Sequence, residues 1–311
     1  MTAAEHAPSC TVHTRLLVIA PHPDDETIAT GILIQRVHAA GGAVDILLLT
    51  DGDNNPWPQR ALERRLYIDA DARGRWARRR RSELAQAMQH LGVSAEHVHA
   101  LGWPDLGVTR LLLQADSAAV ATVAGLFERL RPNLLIMPAL ADRHPDHASA
   151  HVLARLALVG VAKPPVQWTY GVHTTEVDTP PVEPDGTQTQ RANKQVALAA
   201  HASQMALSGA RMRRLAARHE HFVRLPAGPI KNDVLPWQPP AWLGSRLRLS
   251  VVDSHGARNW RWSQAPVRHD SQGGVHLLPP AGRGGGPRFA RLELQLPSPW
   301  IFDHWGWCEL A

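Results

Sequence analysis

Short apolar runs alternate with longer stretches of helical periodicity from Arg15 to about Met205. Runs that are apolar throughout are typical of strands buried on both faces of a parallel sheet. The alternation therefore predicts an α/β fold with a Rossmann-like, doubly wound and mostly parallel sheet. The pattern predicts strands at 15–20, 44–50, 97–101, 133–139 and 167–172, and helices at 27–40, 78–91, 115–131, 147–159 and 191–205.

The pattern changes beyond about Leu225, where helical periodicity disappears. Short alternating runs separated by Gly/Pro-rich turns indicate antiparallel strands. The runs lie at 246–252, 260–262, 275–278 and 289–296. We therefore expect two domains, an α/β domain over 12–224 and a smaller antiparallel β region over 225–311. Seven of the 11 tryptophans fall in the second region, where we favour a packing role over sugar binding.

Residues 51–77 interrupt the apolar pattern with Asp, Asn, Pro and Arg. They follow the second predicted strand, at the edge where α/β proteins build their sites. A substrate-binding loop and a merely solvated loop are both consistent with this composition.

The composition is that of an ordinary soluble globular protein. The chain has 311 residues, of which 44% are hydrophobic and 20% charged, with a net charge of +5. This arginine surplus suits an anionic substrate but is equally a compositional bias, and we expect no nucleic-acid partner. Neither Cys10 nor Cys308 lies in a ligand spacing. With no secretory signal and no stretch of transmembrane length visible, we expect a cytoplasmic protein. Its oligomeric state cannot be read from the sequence.

Two clusters of histidine and aspartate follow predicted strands. The sequence PHPDDE occupies 21–26 after the first strand, and HPDH occupies 144–147 after the fourth. With the common strand order 3-2-1-4-5, the first and fourth strands are neighbours at the point where the order reverses, which is where ligands bind. The two clusters are therefore expected to meet over one crevice.

The clusters supply the ligands of a catalytic divalent metal. Such a site has three protein ligands and an open position for water. His22 and Asp25 can reach a metal from one turn, and His147 can supply the third ligand. Asp24 then stays available as the general base, because a carboxylate that coordinates the metal cannot also take up the proton.

The remaining polar residues of the second cluster suit a supporting catalytic role. His144 can polarise a carbonyl group or stabilise an oxyanion, and Asp146 can orient its ring. Taken singly, each aspartate could instead cap a helix, Asp24 or Asp25 the helix near Glu26 and Asp146 the one beginning at His147. The coincidence of two such clusters favours the metal site.

These motifs resemble the PIG-L/LmbE-like deacetylases, which remove the acetyl group from N-acetylglucosamine-type amides. Besides PHPDDE and HPDH, three stretches are similar to that family. They are Thr50-Asp51-Gly52, the helix and loop formed by RRSELAQAMQHLG at 80–92 and GWPD at 102–105, and KQVALAAHASQ at 194–204. The resemblance covers about residues 15–205.

The resemblance implies a zinc-dependent N-deacetylase in which a zinc-bound water attacks the acetyl carbonyl of a sugar or glycoconjugate. It assigns His22, Asp25 and His147 to zinc and Asp24 to the general base; another divalent ion such as Fe²⁺ would fit the same set. His144 becomes the oxyanion or leaving-group partner, supported by Asp146.

Arg80 and Asp105 are the substrate-binding residues that the resemblance implies. Arg80 lies in the run Arg78–Arg81, however, for which a solvated helix face is the simpler interpretation. His201 and Gln204 match the late family motif, and helix packing accounts for them equally well.

Two other functions fit parts of the pattern. Two histidines and a carboxylate also describe non-haem iron oxygenases, although the spare carboxylate Asp24 suits hydrolysis better. A non-catalytic glycan-binding protein with a Trp-rich tail is the second alternative. The retention of Asp24, His144 and Asp146 argues against it.

Overall fold

The computed structural model describes residues 7–114, 118–174, 186–226, 234–271, 274–278, 286–295 and 304–310. In chain order the helices and strands are β1 (Arg15–Ala20), α1 (Asp25–Ala39), β2 (Ala43–Thr50), α2 (Pro56–Glu63), α3 (Ala70–His90), β3 (Val98–Trp103), α4 (Val108–Leu112), α5 (Ala118–Leu130), β4 (Leu134–Pro138), α6 (Pro145–Ala157), β5 (Val166–Tyr170), α7 (Gln188–Ala200), α8 (Ala202–Ala216), β6 (Val223–Arg224), β7 (Val234–Leu235), β8 (Leu247–Asp253), β9 (Gly256–Arg261), β10 (Val267–His269), β11 (Val275–Leu277), β12 (Arg288–Leu294) and β13 (Trp307–Leu310).

The contacts within the chain divide it into two compact units. The first comprises Met1–Gly107, Leu130–Pro138 and Pro164–Leu225, and the second comprises Val108–Arg129, Ala139–Lys163 and Pro226–Ala311. The helix that carries the second His/Asp cluster, α6, thus groups with the C-terminal strands. The domain boundary expected between 224 and 225 stays a prediction.

A six-stranded sheet forms the centre of the first unit. Its order is β3-β2-β1-β4-β5-β6, with β6 antiparallel to β5 and the other pairs parallel. The predicted α/β class and the predicted order 3-2-1-4-5 are confirmed. In particular, β1 pairs directly with β4, with Leu16 opposite Leu134 and Val18 opposite Ile136.

The apolar runs form the central strands because their side chains are covered on both faces. From Leu16 to Ala20, β1 is fully buried, and all five residues of β4 are buried. The hydroxyl group of Tyr170 at the end of β5 donates a hydrogen bond to the carbonyl oxygen of Ile19, at 2.8 Å. This contact holds the carboxyl end of β1 against β5, just before the first cluster.

Two parts of the predicted pattern differ from the structure. The segment 51–77 contains α2 and the first turns of α3, which begins at Ala70 and not at residue 78. The helix predicted over 191–205 is two helices, because His201 has ψ 51° and ends α7. The start of the helix predicted at 115–131 lies outside the described residues.

The second unit contains α4, most of α5, α6 and two antiparallel sheets. These sheets have the orders β10-β11-β7 and β13-β12-β8-β9, which confirms the predicted antiparallel region. Trp237 is buried in their core, among leucines and valines of β8, β11 and β12, whereas Trp242 is exposed. Packing therefore accounts for at least some of the tryptophans.

No helix in the described ranges is long and apolar enough to cross a membrane.

A buried ion pair holds α1 and α7 together with the segment after α8. The Lys194 ammonium group lies 2.7 Å from Glu220 Oε1, and both side chains are almost completely buried. The Glu220 carboxylate also accepts hydrogen bonds from the backbone amides of Ile32 and Leu33, at 2.7 and 2.9 Å. The chain can approach this closely because residue 31 is glycine, whose missing Cβ would lie 3.0 Å from Lys194 Cγ.

Replacement of Lys194 by methionine should destabilise the protein strongly, since it leaves the Glu220 charge buried without its cation. We expect the free energy of unfolding to fall by about 3–5 kcal/mol, as for other buried pairs that lose one partner. Urea denaturation followed by circular dichroism measures this change. The control is Lys163→Met at an exposed lysine, which should change the free energy by less than about 0.5 kcal/mol. Equal effects of the two substitutions would contradict the prediction.

Candidate functional site

Hydrogen bonds from the last residue of β2 hold the loop that follows β1. Thr50, the last residue of β2, donates two hydrogen bonds to the carbonyl oxygen of Pro21, from its backbone amide at 3.0 Å and from its hydroxyl group at 2.9 Å. At the next position, the amide of His22 donates to Asp25 Oδ2 at 2.9 Å. The PHPDDE turn is therefore held by backbone and side-chain contacts before any ligand binds.

The imidazole ring of His22 faces two carboxylates. Its Nδ1 lies 3.2 Å from Asp25 Oδ2, and its Nε2 lies 3.2 Å from Asp105 Oδ1. The second carboxylate is itself held by the backbone amide of Asn54, which donates to Asp105 Oδ2 at 2.9 Å. Burial acts to raise the pKa of Asp105, but its hydrogen bond and charge interaction with His22, with help from Asn54 and Arg80, keep that pKa below its ordinary value.

Asp24 adopts a backbone conformation that is uncommon outside glycine. Its φ is 113° at the N-cap of α1. The amide of Asp24 donates to Glu26 Oε2 at 3.0 Å. The other oxygen of Glu26 accepts from the Thr27 hydroxyl group at 2.6 Å and lies 3.4 Å from His201 Nε2. The break between α7 and α8 at His201 thus supports the strained residue.

Arg80 connects the loops after β1 and β2. Its guanidinium group donates to the carbonyl oxygens of Pro23 and Gly52, each at 2.6 Å, and to Asp24 Oδ2 at 3.1 Å. Glycine is required at position 52, where φ is 60° and a Cβ would lie 1.6 Å from Arg80 Nη1. Only 4% of Arg80 is exposed, so it is a buried residue that holds the two loops together. The neighbouring arginines of the run are exposed.

The Asp24 carboxylate is in an environment that favours its protonated form. Its pKa is raised to about 6, chiefly by burial, against the positive charge of Arg80, which lowers it. The charges of Asp25 and Glu26 also contribute to the raised pKa, and that of His201 opposes it. Asp24 is therefore a stronger base than an exposed aspartate, although 15% of its side chain still reaches the surface.

The second cluster begins with an aspartate that the motif does not include. Asp142 Oδ1 accepts from the backbone amide of His144 at 3.0 Å, and Asp142 Oδ2 lies 3.2 Å from His147 Nδ1. Both side chains of the second contact are completely buried. A carboxylate at Nδ1 places a proton on that nitrogen and directs Nε2 to be the ligand atom.

Asp146 fixes the start of α6. Its Oδ1 accepts from the amide of Val108 in α4 at 3.1 Å. Its own amide donates to His144 Nδ1 at 3.3 Å, and the rings of His144 and His147 lie 5.0 Å apart between centroids. Because His144 Nδ1 accepts this hydrogen bond, the neutral ring carries its proton on Nε2. The orientation of His144 that we expected from the Asp146 side chain is thus achieved here through the Asp146 backbone.

Sequence reasoning identified the two loops but missed several of their supporting residues. Asp142 precedes the second motif and Glu26 is the last residue of the first, and nothing in their spacing marks either as a supporting residue. The burial of Arg80 did have a signal, because Trp76, Ala77, Leu84 and Ala87 form a buried stripe of α3 on which position 80 also falls.

The residues present have the chemistry of a divalent metal site. The described histidines and aspartates include residues of the types that hold a divalent ion. The environment of His22 fits this chemistry, because its two ring nitrogens lie 3.2 Å from carboxylate oxygens of Asp25 and Asp105, and imidazole and carboxylate are groups that can hold a cation together.

The comparison with known proteins agrees with this chemistry. Residues 17–158 match the family model for PIG-L, GlcNAc-PI de-N-acetylase. The 1D-myo-inositol 2-acetamido-2-deoxy-alpha-D-glucopyranoside deacetylase of Rhodococcus erythropolis is 31% identical over 161 residues, which are 48% of this chain and 54% of that protein. The protein of the same name from Corynebacterium glutamicum (strain R) is 30% identical over 154 residues, 46% of this chain and 52% of that protein. The chain thus spans about half the length of the curated relatives it matches.

Solved structures show the same fold. N,N'-diacetylchitobiose deacetylase from Pyrococcus horikoshii aligns with a TM-score of 0.50 at 19% identity, over 68% of this chain and 83% of that chain. A deacetylase triple mutant from the teicoplanin biosynthetic pathway aligns with a TM-score of 0.51 at 22% identity, over 68% of this chain and 99% of that chain. The match of residues 17–158 to the PIG-L family model and the curated relatives confirm the resemblance to PIG-L/LmbE-like deacetylases that the motifs predict.

Replacement of Asp142 by alanine should weaken metal binding, because His147 loses the carboxylate that orients its ring. We expect the Zn²⁺ dissociation constant to rise about 10–100-fold, as when comparable supporting groups are removed. Calorimetric titration of the metal-free protein measures it.

The control is Asp45→Ala on β2, which removes a similar contact, since Asp45 Oδ1 lies 3.0 Å from His97 Nδ1 and 2.9 Å from His99 Nε2. It should leave the affinity unchanged. An unchanged affinity in the folded Asp142→Ala variant would mean that His147 does not hold the metal in this orientation.

Proposed function

We propose that the protein is a metal-dependent N-deacetylase of N-acetylglucosamine-type sugars or glycoconjugates, a proposal supported by the match of residues 17–158 to the PIG-L family model. The observation that carries this proposal is the pairing of β1 with β4, each followed by a buried and hydrogen-bonded set of histidine and aspartate. The names of the curated relatives agree with an N-acetylglucosaminide substrate.

The sheet supports a common site for the two sets. Parallel strands that are neighbours have their carboxyl ends at the same edge, and chain reversal there creates the ligand crevice of α/β proteins. His22 follows the last residue of β1 by two positions, and Asp142 follows the last residue of β4 by four. Connections this short keep both clusters at that edge.

We assign the metal to His22, Asp25 and His147, with zinc as the ion. When bound there, the ion would lower the pKa of a water molecule and polarise the acetyl carbonyl group. His22 and Asp25 share hydrogen bonds within one turn, and Asp142 directs the ring of His147. Both arrangements fix the ligand atoms in advance, which reduces the cost of ordering them on binding.

Asp24 is the general base in this proposal. It directly precedes the ligand Asp25, and its carboxylate accepts a hydrogen bond from Arg80. Arg80 also holds the carbonyl oxygens of Pro23 and Gly52, so the carboxylate has a defined position relative to its own loop. The task of Asp24 is to accept a proton from the attacking water, and a positioned base of this kind contributes about 10²–10⁴-fold to a rate.

His144 is the proton donor in this proposal. Its Nδ1 accepts the Asp146 amide hydrogen, so the neutral ring presents an N–H at Nε2. That N–H can stabilise the oxyanion that develops on the acetyl carbonyl or protonate the departing amine nitrogen. Acetate and a free amino sugar are the products.

Contact of Arg80 and Asp105 with the substrate stays a prediction. The burial of Arg80 and its three acceptors support a positioning role for Asp24. For Asp105, the contact with His22 supports a role in orienting a metal ligand. Cytoplasmic localisation likewise stays a prediction.

The decisive experiment measures acetate release from a panel of N-acetylglucosaminides by the zinc-loaded protein and by Asp24→Asn. Asparagine tolerates the left-handed backbone and keeps the side-chain shape, so the substitution removes the base without added strain. We expect the turnover number to fall about 10²–10⁴-fold. The Zn²⁺ dissociation constant should change by less than about threefold, because Asp24 is not a ligand in this proposal. Full activity in the variant would show that another group is the base, and no acetate from any substrate with wild-type protein would refute the function.

Replacement of Arg80 by lysine tests the positioning of Asp24. An ammonium group is a point charge and cannot donate to three acceptors with the geometry of a guanidinium group. We expect a fall in the turnover number on the order of 10²-fold, because a misplaced catalytic group costs this much, with Zn²⁺ affinity unchanged. Arg78→Lys, at an exposed position of the same run, is the matched control and should keep wild-type activity. A normal turnover number in Arg80→Lys would remove Arg80 from this role.

A further inference from the structure

The helix α6 carries two site residues at its start and is attached to the C-terminal strand β13 further along. Ser149, two residues after His147, is completely buried. Its hydroxyl group accepts a hydrogen bond from Trp307 Nε1 at 3.0 Å and lies 2.7 Å from the Thr109 hydroxyl group. The ring that makes this contact belongs to the first residue of β13.

A second attachment lies six residues further along α6. Arg155 donates through both terminal nitrogens to the carboxylate of Glu309, at 2.8 and 3.2 Å. Only 11% of the Arg155 side chain and 4% of the Glu309 side chain are exposed. A bidentate pair of this kind fixes the orientation of both groups as well as their distance.

Two attachments restrain α6 more than one would. Ser149 and Arg155 are separated by a rise of about 9 Å along the helix axis. Trp307 and Glu309 are two residues apart, so their side chains leave the same face of β13 about 7 Å apart. With both ends of this contact fixed, α6 can neither slide along its axis nor rotate about it without breaking a buried hydrogen bond.

β13 is a firm support because it is part of a sheet. It pairs with β12, with Trp307 opposite Arg291 and Glu309 opposite Phe289, and β12 pairs in turn with β8. The ring of Phe289 also packs edge-on against His151 of α6, at 6.2 Å between centroids. The C-terminal sheet therefore contacts α6 at three side chains within seven residues.

We propose that β13 is a positioning element for the metal ligand His147, acting through Ser149 and Arg155 of α6. This inference rests on the proposed metal site and assigns a role to strands that lie outside the family match over 17–158. Trp307 and Glu309 touch neither metal nor substrate in this account. They set where α6 begins, and the two clusters can share an ion only if that start is correctly placed.

The test uses the full chain with Trp307→Phe and Glu309→Gln combined. The first substitution removes the indole N–H donor together with part of the buried ring, and the second removes the charge that holds Arg155. We expect the Zn²⁺ dissociation constant to rise at least about 10-fold, as for lost supporting groups. Amide hydrogen exchange over 145–151 should become faster, and the turnover number should fall while KM changes little. Trp242→Phe, at a tryptophan 72% exposed in the same C-terminal region, is the control and should alter none of these quantities.

The other outcomes separate this inference from the proposed function. A lower free energy of unfolding with unchanged Zn²⁺ affinity and unchanged exchange over 145–151 would show that β13 only stabilises the fold, and would overturn the inference. If the wild-type protein neither binds Zn²⁺ nor releases acetate, the proposed function fails. Hydrogen exchange over 145–151 then still decides whether β13 holds α6.

Discussion

The parallel pairing of β1 with β4 is the constraint on which the candidate site depends. It makes neighbours of two strands that are more than 110 residues apart in the sequence. The last five residues of β1 and all five residues of β4 are buried. In this pairing Leu16 lies opposite Leu134 and Val18 opposite Ile136, so the two strands run side by side in the same direction. Whatever follows the two strand ends is therefore delivered to one edge of the sheet.

Fixed backbone groups then determine how each loop leaves its strand. In the first loop, Thr50 holds Pro21 and Arg80 holds Pro23, so β2 and α3 define the path of the motif. In the second, Asp142 holds the amide of His144 and the ring of His147. The same side chains that satisfy the loop backbone also orient the candidate ligands, which explains why the motifs are surrounded by buried polar groups.

The sequence allowed the strands, their order and both clusters to be predicted, because these depend on apolar runs and on motif positions. It did not reveal the division of the late helix at His201, since several alanines surround that position and the break coincides with tertiary contacts of His201 with Glu26 and of Ser203 with Glu83. The pairing of Arg155 with Glu309 was equally hidden, because nothing in the sequence links two charges 154 residues apart. Long-range polar contacts of this kind leave no periodic signal.

The strain at Asp24 is informative because other contacts oppose its relief. A non-glycine residue in this conformation costs about 1–3 kcal/mol, and it persists only where the surroundings hold it. Here Glu26 accepts the backbone amide, Arg80 holds the carboxylate, and the next residue, Asp25, is held by the amide of His22. Capping of α1 does not explain this conformation, since the Asp24 side chain makes no capping hydrogen bond to the helix. The strain is therefore best understood as the means by which two adjacent carboxylates are made to point in different directions, one towards His22 and the other towards Arg80.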